Sequence, residues 1–163
     1  MRRALRPLLL PVLLPAATLD AQSAAIVEIL GAARHEDIRW PDISDVAPAL
    51  REVYARRGWS PLWFRDGEPT AAARGMVQVL REAAVRGLEP EDYDARWLSA
   101  ELGRPNDPGE AIRGRVDAAL SVAAARFAQA LRRGRVSPEA IHATYKLPVE
   151  PFDELDRLDL AVD

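Results

Sequence analysis

The chain of 163 residues has no cysteine. That absence excludes a thiolate nucleophile, a disulfide framework and the lipid-bearing cysteine of a lipoprotein anchor. Lysine is nearly missing as well, with Lys146 standing alone among 22 basic residues. Aromatic residues make up only 6 %, and the two histidines are His35 and His142. No serine lies in a Gly-x-Ser-x-Gly elbow or a Ser-x-x-Lys box, so the usual serine nucleophile signatures are absent. The run His35-Glu36-Asp37 lacks a second histidine at helical spacing, and adjacent residues do not share a helix face. It reads as a solvated polar loop, and neither a metal nor a cofactor is expected.

The N-terminus carries a different kind of signal. Met1 to Arg6 is basic, Leu8 to Ala17 is apolar but interrupted by Pro11 and Pro15, and a cleavage point is expected in Thr18-Leu19-Asp20-Ala21 before Gln22. The apolar run is too short to span a bilayer, and the pattern is that of a secretory signal peptide over residues 1–21. Export to the periplasm without stable membrane insertion is the expectation. Removing that segment takes away three arginines and one aspartate, moving the net charge from −3 to about −5. A net-acidic chain without a long basic stripe is a poor nucleic-acid binder, so that partner class is set aside. The rest is long enough for one domain with its own core.

Beyond the signal peptide, helical periodicity separated by Gly and Pro corners dominates. A first helix is expected over Ser23–Ala33, followed by a polar connector to Ser44 that contains Trp40-Pro41. A second runs from Val46 to Arg57, with Pro48 tolerated in its first turn. A third starts behind the N-cap Thr70 and continues to Gly87, with Met76, Val77, Leu80 and Ala84 on one face. The longest spans Glu110–Arg133, where Ile112, Val116, Leu120, Ala123, Phe127 and Leu131 form an apolar stripe. Gly58, Gly87 and Gly134 each occupy a position suited to a left-handed cap. At most a short β bridge is expected at 61–65. The fold class is therefore mainly α: a compact multi-helix domain with a long, central, Ala-rich helix and little or no β. Residues 22–44 read as an N-terminal helix and connector, and 45–163 as the main helical domain.

Three constellations carry chemical potential. Tyr54, Trp59, Trp63 and Phe64 crowd around a Ser60-Pro61 corner. Trp59 and Trp63 read as core, whereas Tyr54 suits either a core or a surface that stacks flat ligands. Arg132, Arg133 and Arg135 cluster at a helix C-terminus, where cations complement the dipole and also suit bidentate recognition of carboxylates. Tyr54 and these three arginines are the candidate binding residues. The acidic run Glu89–Asp94 supplies carboxylates that a hydrolase would use, but Pro90 and the helix dipole give it a local structural reason.

Taken in order, Val53–Trp63, Ala84–Tyr93, and Phe127 with Leu131–Pro138 resemble the N-terminal scaffold domain of large bacterial peptidoglycan L,D-transpeptidases of the YcbB type. The tail Lys146–Asp153 is similar to the next stretch in that family, and the resemblance covers about residues 45–160. Members carry a YkuD-type catalytic domain with a histidine and a Ser-x-Gly-Cys-x-Arg motif, whose cysteine forms the acyl-enzyme. No cysteine exists here to take that role, so no catalytic residue is carried over. The resemblance implies a non-catalytic scaffold associated with cell-wall cross-linking, partnered by a YkuD-type catalytic domain or by peptidoglycan. A generic periplasmic helical adaptor and a carboxylate-dependent wall hydrolase are the alternatives.

Overall fold

The computed structural model describes residues 20–133. Residues 1–19 of the expected signal peptide, the Gly134 cap, His142 and the tail fall outside this range. The fold is mainly α. Five helices occur among the described residues: α1 (Ala21–Ala32), α2 (Ala47–Arg56), α3 (Ala71–Arg81), α4 (Ala95–Leu102) and α5 (Glu110–Arg133). Two 3-10 turns, Ala83–Arg86 and Pro90–Tyr93, and one two-stranded hairpin complete it. No helix among the described residues is long and apolar enough to cross a membrane.

Local chemistry sets the helix ends. Asp20 accepts a hydrogen bond from the Ser23 N–H at 2.7 Å, which places the start of α1 one residue before the expected cleavage point after Ala21. Thr70 caps α3 by accepting from the Ala73 N–H at 3.1 Å. That helix ends at Arg81, earlier than the periodicity suggests, and tightens into the 3-10 turn before Gly87 takes the left-handed cap at φ +73°. As a result Ala83 is buried and Ala84 is exposed. Gly58 is left-handed at φ +64° as expected, but Trp59 follows at φ +66°. The Trp59 N–H reaches back to the Tyr54 carbonyl at 2.7 Å, and its ring ends half-buried against the core.

The hairpin pairs β1 (Phe64–Arg65) with β2 (Glu68–Pro69) in antiparallel register, Phe64 opposite Pro69. Asp66 and Gly67, at φ +53° and +83°, form its two-residue turn. Asp-Gly is favoured there because both central residues need positive φ.

Helix α5 is the axis of the molecule. From Arg113 to Ala125 nearly every position is buried, on all sides of the helix rather than along one stripe. The ends differ from expectation: Ile112 and Leu131 are 39 % and 49 % exposed, outside the packed middle. Helices α1, α2, α3 and α4 all pack on α5. Helix α1 comes closest, with the Gln22 carbonyl oxygen against Gly114, where any side chain would collide with it. The core is continuous from Ile26 and Leu30 through Leu50 and Val53 to Leu98 and Phe127. Helix α1 and the connector behind it therefore share one packed body with α2 to α5.

Candidate functional site

The aromatic segment 54–64 turns out to be fastened to α5 by a buried carboxylate. Tyr54 and Asp117 are fully buried, and the Tyr54 hydroxyl donates to Asp117 Oδ1 at 2.5 Å. The Leu62 and Trp63 backbone N–H groups donate to the two Asp117 oxygens at 3.1 and 2.7 Å. Ser121, one turn on, meets the Tyr54 hydroxyl at 2.7 Å and accepts the Trp63 indole N–H at 2.8 Å. Burial pushes the Asp117 carboxyl up to about 6, although the bonds from Tyr54, Trp63, Leu62 and Phe64 pull it down. Burial and the neighbouring Asp117 carboxyl push the Tyr54 phenol well above its ordinary value.

This geometry corrects the candidacy of Tyr54. Its ring is enclosed and its hydroxyl is committed, so it presents no face for stacking a ligand. Trp63, 2 % exposed, lies in the core as expected. Sequence reasoning misses Asp117 and Ser121, though an acid and a serine four residues apart inside an apolar helix mark one face with two buried polar groups.

Arg132 is exposed in the last turn of α5. Arg133 is the last residue of that helix, and its side chain and Arg135 lie outside the described residues. The arginine cluster is therefore not assembled in what the structure describes. In the acidic run, Glu91 faces Arg96 at 3.2 Å, Asp92 faces Arg39 at 3.5 Å, and Asp94 accepts the Arg39 backbone N–H at 2.8 Å. Its tyrosine, Tyr93, packs edge-on against Phe127 at 5.2 Å. These carboxylates serve to attach the run to its neighbours.

The connector between α1 and α2 departs most from expectation. His35 is not solvated: it is fully buried, and its Nε2–H donates to the Arg115 carbonyl at 2.8 Å. Its Nδ1 accepts the Asp37 N–H at 3.3 Å, which makes the ring the neutral Nε2 tautomer. Burial lowers its pKa, with the Arg115 carbonyl opposing. Ile38 and Ile43 are buried beside it, and the His35 N–H donates to the Pro41 carbonyl at 2.9 Å. Among the described residues no three His, Cys, Asp or Glu side chains gather as a metal site.

What this loop holds out is Trp40, 53 % exposed. Its backbone is fixed from α5: Arg126 donates to the Trp40 carbonyl at 3.2 Å, to the Asp42 carbonyl at 2.5 Å, and through two nitrogens to Asp45 at 2.7 and 2.9 Å. Trp40, Pro41, Asp42, Ser44, Asp45 and Arg126 line a shallow groove of about 340 Å³, open to solvent. That volume is at the low end of the roughly 300–1,000 Å³ of small-ligand sites. The Arg39 guanidinium sits 5.4 Å from the Trp40 ring centroid. The signal in the sequence was Trp40-Pro41 in a connector that is polar apart from Ile38 and Ile43.

A family model described as the Scaffold domain matches residues 48–163. The chain belongs to the Scaffold domain family. The match starts one residue into α2 and takes in the aromatic segment, the acidic run and all of α5, but leaves out α1 and the Trp40 loop. No curated protein and no solved structure matches the chain. Within the Scaffold domain, the Asp117 and Ser121 cluster is the device that locks the loop after α2 onto the central helix.

Proposed function

We propose that this Scaffold domain chain is a non-catalytic, exported component of peptidoglycan L,D-transpeptidation, holding a YkuD-type catalytic domain in place at the cell wall. The observation that carries the reading is the family match over 48–163, which spans the segments that resemble the scaffold of those enzymes. The geometry supports it: the helices close on α5, and the conspicuous polar cluster is buried and serves to fasten a loop. Arg132 and Arg133 in the last turn of α5, with Arg135 two residues further along the sequence, remain the proposed contact with an acidic partner surface. Residues 1–21 direct the chain to the periplasm in this reading.

The test is binding of the purified chain to a purified YkuD-type catalytic domain, followed by sedimentation velocity, with purified sacculi in a parallel arm. A saturable complex with the catalytic domain, weakened by Arg132→Glu with Arg135→Glu, supports the proposal. Absence of a complex at micromolar concentrations overturns it. Release of soluble fragments from sacculi by the chain alone, lost in Glu91→Gln, overturns it in favour of a hydrolase.

A further inference from the structure

We infer that the Trp40 groove is a binding site for a neutral saccharide. The first reason is the ring itself. An indole more than half exposed on a loop pinned by Arg126, Pro41 and the Ile43 N–H to Ala33 carbonyl bond is a rigid, pre-placed apolar plane. Loop mobility does not account for its exposure, because the backbone on both sides is hydrogen-bonded into the body of the protein. Buried alternatives lie close at hand, as Ile38 and Ile43 of the same loop demonstrate.

The second reason is the chemistry around the plane. Pyranose rings present a flat array of C–H bonds on one face and hydroxyls at the rim, each hydroxyl both donor and acceptor. Around the flat aromatic the groove is lined by Pro41 and by Asp42, Ser44, Asp45 and Arg126, residues whose side chains carry carboxylate, hydroxyl and guanidinium groups. Arg39 occupies the neighbourhood of one ring face at 5.4 Å, and stacking needs only the other.

Charge selects among ligands. Arg126 is neutralised by Asp45 and Arg39 faces Asp92. The Asp42 carboxyl, lowered by its bonds from Ser44, adds a further anion. A phosphate or sulfate group meets carboxylates here and no cation without a partner of its own. A nucleic acid is excluded on the same ground. A neutral, hydroxyl-rich ligand meets no such penalty. The ligand class follows from the groove alone and does not depend on the export proposal. If the chain does reach the wall, the glycan strand is the natural source of such a sugar, whereas elsewhere a free oligosaccharide has the same chemistry.

The experiment is a titration of the full chain, ¹⁵N-labelled at tryptophan, with chitotetraose, cellotetraose and a heparin tetrasaccharide. The Trp40 indole resonance is assigned from its loss in Trp40→Phe. A saturable shift of that resonance by a neutral tetrasaccharide is expected. Affinity should fall about tenfold or more in Trp40→Ala and only in part in Trp40→Phe. Preference for chitotetraose over cellotetraose points to an N-acetylated wall glycan as the source, and the converse points to another neutral sugar; both support the site. Because the ring is exposed, Trp40→Ala should fold normally, and an unchanged circular dichroism spectrum checks this. The proposal is overturned by the absence of any saturable shift at millimolar sugar, by binding unchanged in Trp40→Ala, or by preference for the heparin fragment. Loss of sugar binding with the catalytic-domain complex intact separates this site from the proposed scaffold role.

Discussion

Replacing Asp117 by Asn tests whether one buried carboxylate organises the molecule. The amide keeps one acceptor oxygen but turns an N–H₂ toward backbone donors. At least one of the Leu62 and Trp63 N–H groups then faces another donor in a dry site, which costs about 1–3 kcal/mol. The distinguishing signature is the pH dependence. Asp117 is raised to about 6 when folded, against 3.8 for the unfolded chain, so the folded state holds the extra proton between those values. A raised pKa contributes stability that is fully present below 3.8 and is lost as pH rises through 6. Between about pH 5 and about pH 7.5 that loss is on the order of 1 kcal/mol. His35 acts in the opposite sense: its depressed pKa gives stability present above 6.5 and withdrawn as pH falls. It contributes equally to parent and variant, so it cancels in their difference. Urea unfolding of both proteins at the two pH values should show the parent's advantage over Asp117→Asn shrinking by an amount on the order of 1 kcal/mol from the lower pH to the higher. A difference that stays flat, or grows with pH, refutes the reasoning.

Two further substitutions probe the packing. Gly114→Ala places a Cβ against the Gln22 carbonyl oxygen and 3.0 Å from the Ala25 Cβ, so α1 must move off α5. Thermal or urea unfolding should show a loss of about 1–3 kcal/mol, the range for overpacked sites. Gly87→Val meets no neighbour within 4 Å but forces a β-branched residue to φ +73°. Its loss of about 1–2 kcal/mol should therefore be backbone strain, smaller in Gly87→Asn, which tolerates that region.

The parts of the fold legible in the sequence are those set by repeating local chemistry. Helix α5 is readable to its end residues because its alanines and apolar positions persist over many turns. Thr70 and Gly87 announce a helix start and a stop by side-chain chemistry alone. Helix α4 escapes such reading because it is short, and its cap, Asp94, is left-handed and gives its carboxylate to the Arg39 N–H instead of to the helix's own first turn; yet Ala95, Leu98 and Leu102 keep helical spacing. The hairpin at 64–69 exceeds the short bridge expected at 61–65, although Asp66-Gly67 is a strong two-residue turn signal for it. The burial of His35, Tyr54 and Asp117 is not readable. It depends on partners 54 to 80 positions away, and periodicity within one segment carries no information about those. The Trp40 groove belongs to the same class, since Arg126 meets Asp45 from 81 residues along the chain.

The fit of α1 against Gly114 has a consequence for where this protein can be divided. The stretch that matches the family begins at residue 48, yet Ile26 and Leu30, both fully enclosed, come from before it. A polypeptide trimmed to the matched stretch would uncover the alanine-rich flank of α5 and strip His35 from the Arg115 carbonyl. Helix α1 thus acts as a tethered ligand of the central helix, present at a local concentration no separate peptide reaches. Supplied in trans in large excess, a peptide of residues 20–45 should therefore raise the thermal unfolding midpoint of the trimmed protein only part of the way back to that of the intact chain.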